Sequence, residues 1–210
     1  MESIEKIVAK QLLDIKAVKL SPEKPFTWAS GWKSPIYCDN RKVLSYPAAR
    51  KVVYEAFVEI IKKHFKDVEV IAGVATGAIA YGMMVAEVLG LPFVYVRPKP
   101  KDHGTGAQVE GDLPPKARVV VVEDLISTGG SSLAAVDALH KADANVLGMV
   151  AIFSYNFIKS IRAFENANVE LHTLSHYEAL LEKAVEENYI KAEDLKVLKE
   201  WRINPEIWGK

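Results

Sequence analysis

The run Val119-Val120-Val121-Val122 limits the fold more than any other stretch of this chain. Four β-branched residues in succession, with no polar residue between them, suit a strand covered on both faces. Such a strand belongs in the middle of a sheet, and the flanking patterns show what kind of sheet. Short β-branched runs at 68–74, 92–96, 118–122 and 146–153 alternate with amphipathic stretches at about 50–66, 78–89, 131–142 and 157–167. That alternation predicts an α/β fold with a central, mostly parallel sheet flanked by helices. Outside it the pattern suggests an N-terminal helix, an aromatic segment at 26–41 folded as a small hairpin, and a helical C-terminal tail carrying Trp201 and Trp208.

No internal repeat, low-complexity tract or Gly/Pro/Ser-rich linker interrupts the pattern, so a single domain over 1–210 is expected. Lysine plus arginine equal aspartate plus glutamate at 27 each, which excludes the basic excess of a nucleic-acid binder and makes any attraction for anions local. Cys38 is the only cysteine, so neither an internal disulfide nor a multi-thiolate zinc cluster can form, and a reducing, cytoplasmic setting fits best. Glu2 and Glu5 stand where a signal peptide needs positive charge, and no apolar run is long enough for a membrane helix, so no membrane association is expected.

In parallel sheets ligands bind beyond the carboxyl ends of the strands. The valines lead into Glu123-Asp124-Leu125-Ile126-Ser127-Thr128-Gly129-Gly130-Ser131 and then an apparent helix start. A loop of hydroxyl and glycine residues between a buried strand and a helix N-terminus turns backbone N–H groups and the positive end of the helix dipole toward one point, which suits a phosphate. Gly129 and Gly130 allow close approach and positive φ, and Ser127, Thr128 and Ser131 add donors. Spacing excludes a Walker loop and a G-x-G-x-x-G dinucleotide fingerprint. The acid pair would repel a bare phosphate, so it should face ribose hydroxyls or a magnesium ion. The plain alternative is an ordinary βα loop with the acids capping the next turn.

This stretch resembles the ribose-phosphate signature of the type I phosphoribosyltransferases. The resemblance implies that fold, with a small N-terminal hood formed mainly by 20–45. It also implies 5-phosphoribosyl 1-pyrophosphate as donor, and magnesium as cofactor held mainly through that donor. Glu123 and Asp124 would hold the ribose hydroxyls, and Leu125, Ile126, Ser127, Thr128, Gly129, Gly130 and Ser131 the 5-phosphate.

Between the second and third runs lies an irregular stretch, Arg97-Pro-Lys99-Pro-Lys101-Asp-His103-Gly and onward, with a basic cluster and glycines at 104, 106 and 111. Long patternless loops in compact domains are usually lids or binding loops, and here a lid over about 98–114 is expected. Fixed cations that exclude water can stabilise the charge growing on a leaving diphosphate, and Lys101 or His103 could donate a proton. A solvated basic loop without a task is the alternative. The order Tyr95-Val-Arg97-Pro-Lys99-Pro-Lys101-Asp-His103-Gly is similar to the flexible loop of the orotate phosphoribosyltransferases. That resemblance implies orotate as the base, an obligatory homodimer whose lid covers the partner's site, and donor contacts from Arg97, Lys101 and His103. Catalysis would fall to Lys101, His103 and Asp124.

Two more segments carry the likeness. The aromatic stretch around Trp28, Trp32 and Tyr37 could wall a flat polar ring or simply pack as a hairpin, and it looks like the family's hood over the pyrimidine. The turn Gly73-Val-Ala-Thr76-Gly77-Ala78 resembles the family's pyrophosphate loop, and could equally be a tight turn made for helix packing. Departures from one family branch are Ala29 for a lysine, Thr76-Gly77 for Tyr-Lys, Pro98 for a second loop lysine, and Tyr155 for an arginine facing the base. Those contacts do not carry over. Ser127 matches an orotate contact, and Arg41 or Lys33 are left as candidates for neutralising the orotate carboxylate. The expected reaction converts orotate and the donor into orotidine 5′-phosphate and pyrophosphate. The rivals are a transferase for another base and a donor-sensing regulator that binds nucleic acid.

Overall fold

The computed structural model describes residues 2–28, 30–100 and 108–209. Its elements in chain order are α1 (Ile4–Asp14), β1 (Val18–Leu20), β2 (Phe26–Thr27), β3 (Lys33–Ser34), β4 (Ile36–Cys38), a 3-10 helix (Asn40–Ser45), α2 (Pro47–His64), β5 (Val70–Val74), α3 (Ile79–Leu89) and β6 (Phe93–Val96). There follow β7 (Val109–Glu110), β8 (Arg118–Ile126), α4 (Gly130–Lys141), β9 (Asn145–Ser154), α5 (Ile158–Asn166), β10 (Leu171–His176), α6 (Tyr177–Glu186), a short 3-10 turn (Ala192–Asp194) and α7 (Leu195–Ile203). Contacts divide the chain into two compact units, one spanning Lys51–Leu174 and the other joining the segment up to Arg50 with the segment from Ser175 onward.

The larger unit carries the six-stranded sheet, in the order β10-β9-β8-β5-β6-β7. Strands β6, β5, β8 and β9 are mutually parallel, and β7 adds an antiparallel edge. Val119, Val120, Val121 and Val122 all have zero exposure, as the unbroken apolar run requires of a mid-sheet strand. The predicted α/β architecture and its four helical stretches are therefore present.

Three features differ from the sequence reading. Strand β8 continues through Glu123 to Ile126, because β9 offers partners that far: Glu123 pairs with Ala151 and Leu125 with Phe153. The acids thus end a strand instead of starting a loop. Strand β7 forms inside the stretch read as patternless, two residues being too few to show a period. Strand β10, with polar residues on both faces of Leu-His-Thr-Leu-Ser-His, gave no signal at all.

Glycine sets how closely α3 lies on the sheet. A Cβ added at Gly82 would meet the Phe93 ring at 2.6 Å and the Gly73 Cα at 3.2 Å. The turn between β5 and α3 is correspondingly tight, and its Ala75–Thr76 peptide bond is cis.

In the other unit the aromatic segment forms two small ladders where one hairpin was expected. β2 pairs with β3, while β4 pairs with β1, a strand the pattern did not reveal. Trp201 of α7 is fully buried, donates from Nε1 to the Lys33 carbonyl at 3.1 Å and meets the Trp28 ring edge-on at 5.6 Å. Tyr177 of α6 donates its hydroxyl to the Leu198 carbonyl at 3.0 Å. The C-terminal tryptophan therefore has a packing role, holding the aromatic segment from below. Among the described residues no helix is long and apolar enough to cross a membrane.

Candidate active site

The carboxyl end of β8 positions the acid pair. Successive strand residues point to opposite faces, and the two carboxyl groups accordingly meet different neighbours. Glu123 is buried at 5 % exposure; its Oε1 accepts the Asp124 N–H at 2.9 Å and its Oε2 accepts the Ser132 hydroxyl at 2.9 Å. Asp124 is half-buried, and its carboxylate lies so close to Gly77 that a Cβ there would collide with it. The cause is topological: β5 and β8 are adjacent and parallel with Gly73 opposite Val122, so the turn after β5 and the end of β8 emerge side by side. Ser132 is a neighbour that sequence reasoning missed; Gly77 was read as part of a phosphate-binding turn, but its meeting with Asp124 was not foreseen. Ser132 lies in what reads as an ordinary helix start, and the meeting of Gly77 with Asp124 depends on strand order.

Burial, then the nearby Asp124 charge, pushes the Glu123 carboxyl up to about 8, against the pull of its hydrogen bonds from Asp124 and Ser132. Below its ordinary value of 4.5 the group is protonated in both folded and unfolded chains. Between 4.5 and about 8 the unfolded chain releases the proton that the folded chain retains, so stability declines as pH rises through that window. Glu123→Gln removes this dependence. The melting temperature of the parent relative to the variant is expected to fall from pH 5 to pH 8, and calorimetry at several pH values checks it.

Beyond β8 the chain bends at 127–129 into α4. Gly129 has φ +85°, the left-handed region glycine tolerates, and a Cβ there would also press on the Phe164 ring at 3.1 Å. The N-cap of α4 is Gly129, which has no side chain to cap the helix, and Ser127, Thr128 and Ser131 stand on either side of it in sequence. Helix N-terminal N–H groups beside partly exposed hydroxyls and an open Gly130 are an arrangement that can bind an anion. Leu125 and Ile126 belong to the strand; Leu125 is half-buried, and Ile126 is fully buried with its carbonyl accepting the Tyr155 N–H at 3.2 Å.

At the end of β6 the Arg97 N–H donates to the Gln108 carbonyl at 2.9 Å, and the Gln108 amide returns a bond to the Arg97 carbonyl at 2.9 Å. The Arg97 guanidinium pairs with Glu110 at 3.4 Å. Residues 108–110, inside the stretch 98–114 expected as a lid, are thus tied to the end of β6, and Glu110 is a partner for Arg97 that the sequence did not suggest. Lys99 is exposed. Lys101 and His103 lie outside the described residues.

Within the unit that holds the aromatic segment, Trp28 and Trp32 stack at 6.3 Å, and Trp28 donates to the Ile36 carbonyl at 3.0 Å. Arg41 pairs with Asp39 at 2.7 Å and holds that carboxyl below its usual value. Lys33 donates to the Thr27 hydroxyl at 2.9 Å. Tyr155 is buried against Phe157, the rings stacked at 5.2 Å.

Known proteins resemble this chain over most of its length. A family model described as "Phosphoribosyl transferase domain" matches residues 39–170. The chain is similar to a protein of Phocaeicola vulgatus named orotate phosphoribosyltransferase, with 56% identity over 99% of this chain and 98% of that one. It is also similar to the Porphyromonas gingivalis protein of the same name, with 54% identity over 100% of both chains. Among solved structures it resembles the orotate phosphoribosyltransferase of Aeropyrum pernix, with TM-score 0.75 and 32% identity over 84% of this chain and 97% of that one.

Proposed function

Because the chain belongs to the orotate phosphoribosyltransferase family, and so is a pentosyltransferase of pyrimidine biosynthesis, we propose that the end of β8 and the start of α4 grip the ribose phosphate of 5-phosphoribosyl 1-pyrophosphate. N1 of orotate attacks C1 of that ribose, the C1–O bond to the diphosphate breaks, and orotidine 5′-phosphate and pyrophosphate leave. The observation that carries this reading is the bend at 127–129, which leads from the strand end holding Glu123 and Asp124 to the glycine-capped N-terminus of α4.

Asp124 receives the ribose hydroxyls, with the buried Glu123 carboxyl behind it fixing the Asp124 backbone through the 2.9 Å bond from its N–H. Backbone N–H groups at 127–131 and the hydroxyls of Ser127, Thr128 and Ser131 bind the 5-phosphate, and Ser127 also contacts orotate. Arg97, Lys101 and His103 enclose the diphosphate and exclude water; stabilising charge on the leaving group and aligning the nucleophile supply most of the acceleration. The donor set at the end of β8 is oxygen only, which fits a hard ion such as magnesium. Magnesium held mainly through the donor supplies charge neutralisation of the diphosphate. The working unit is a homodimer that shares its lids, in the cytoplasm.

Purified chain given orotate, donor and magnesium is expected to consume orotate, followed spectrophotometrically, and to leave adenine, guanine and uracil untouched. Turnover of one of those bases instead would replace the base assignment. Arg41→Ala is expected to raise KM for orotate about tenfold, the cost of one charge-assisted contact, with KM for the donor unchanged. An unaltered orotate KM would return the assignment to Lys33.

A further inference from the structure

Among the described residues, one cluster outside the active site gathers three metal-ligating side chains, His64, Glu170 and His172. We propose that these residues hold a divalent transition-metal ion of the zinc or nickel class. Their ligand atoms all lie within 4.8 Å of one another. His172 Nε2 is 2.6 Å from Glu170 Oε1, and His64 Nδ1 is 3.9 Å from the same oxygen. Ligands at about 2.0–2.2 Å from a tetrahedral ion sit roughly 3.4 Å apart, so side-chain rotation alone brings the three into range. The two imidazole rings lie with their centroids 3.9 Å apart, which brings ring nitrogens of both to the same carboxylate.

The backbone under the cluster is fixed. His64 is the last residue of α2, and the Glu170 carbonyl accepts the Met149 N–H at 2.8 Å. Phe65 meets the His172 ring edge-on at 5.7 Å and lies over Gly148, where an added Cβ would strike the Phe65 ring at 2.6 Å. A glycine in mid-strand therefore seats the aromatic ring that orients a histidine ligand. Two imidazole nitrogens and one carboxylate oxygen make a borderline donor set, suited to zinc, nickel or copper and poorly suited to magnesium. A water completes the fourth position.

The site is distinct from the reaction centre by topology. Helix α2 leads into β5, which runs parallel to β8, so His64 stands at the amino end of the sheet and the phosphate cradle at its carboxyl end. An ion there ties the end of α2 to the approach to β10 and acts on stability.

Isothermal titration of zinc into the metal-free full chain is expected to show one saturable ion per chain in the micromolar range or tighter, with magnesium not competing. His64→Ala, His172→Ala and Glu170→Gln should each weaken it at least about tenfold, as lost ligation does. Zinc should also raise the melting temperature of the parent and of none of the three variants, whereas orotate turnover in chelator-treated enzyme stays at the parent level in all of them. Glu170→Gln keeps the side-chain shape and serves if a histidine variant misfolds. The site does not exist if the parent takes up no zinc, or if the His64→Ala, His172→Ala double variant binds it as tightly as the parent through the other three of its five histidines.

Discussion

Replacing Gly77 by Ala is expected to lower kcat/KM for the phosphoribosyl donor by about 100-fold, the usual cost of displacing a catalytic group by roughly 1 Å. The added methyl has nowhere to go, because all three carboxylate atoms of Asp124 lie within contact distance of where it would stand. Either Asp124 swings away from the place proposed for the ribose hydroxyls or the turn between β5 and α3 retreats, and both changes disturb the proposed donor site. The fold should survive, since Gly77 is partly exposed and lies outside the strand. Steady-state kinetics on the variant, with its melting temperature alongside, separates the two effects. Unchanged donor kinetics would mean that Asp124 has no fixed task in binding the ribose.

The second large effect belongs to the lid. Lys101→Ala is expected to lower kcat by about 100- to 1,000-fold, the range for removing one preorganised charge from a developing oxyanion, while the equilibrium affinity for the donor changes only a few-fold. The reason is differential: a cation that meets the diphosphate fully only as the C1–O bond breaks contributes to the transition state and little to the ground state. Rapid-quench kinetics beside donor titration checks the split, and equal losses in both would make Lys101 a binding residue. If lids are shared across a dimer, mixing Lys101→Ala with Asp124→Asn subunits should restore about a quarter of parental sites, because half the dimers are mixed and each then has one intact site. Mixtures no more active than their parts would put each lid over its own site.

Much of this was readable from residue order. Val119 to Val122 announced a buried central strand, and the helices after β5, β8 and β9 start within a few residues of where periodicity put them. The bend proposed to hold the phosphate was legible because it is local: glycine, hydroxyls and a helix start are contiguous. What escaped was non-local. The continuation of β8 through Glu123 is set by β9, the pressing of Asp124 on Gly77 by sheet order, and the bond from Ser132 to Glu123 by the seating of α4. The packing of the aromatic segment escaped for a related reason. Trp28 and Trp32 read as a possible ring-binding wall, yet Trp28 packs against Trp201, some 170 residues later in the chain. The pairing of Arg97 with Glu110 depends on a two-residue ladder too short to leave a pattern.

One compact unit is assembled from both ends of the chain, with Trp201 bonded to the Lys33 carbonyl and Ser175 to that of Glu5. During translation the opening fifty or so residues emerge well before the helices they need, whereas the unit in between is contiguous and can close as soon as it clears the ribosome. The aromatic rings at 26–37 therefore wait uncovered until the helices after Ser175 have been made, and a ribosome that stalls before α7 leaves them as bait for chaperones.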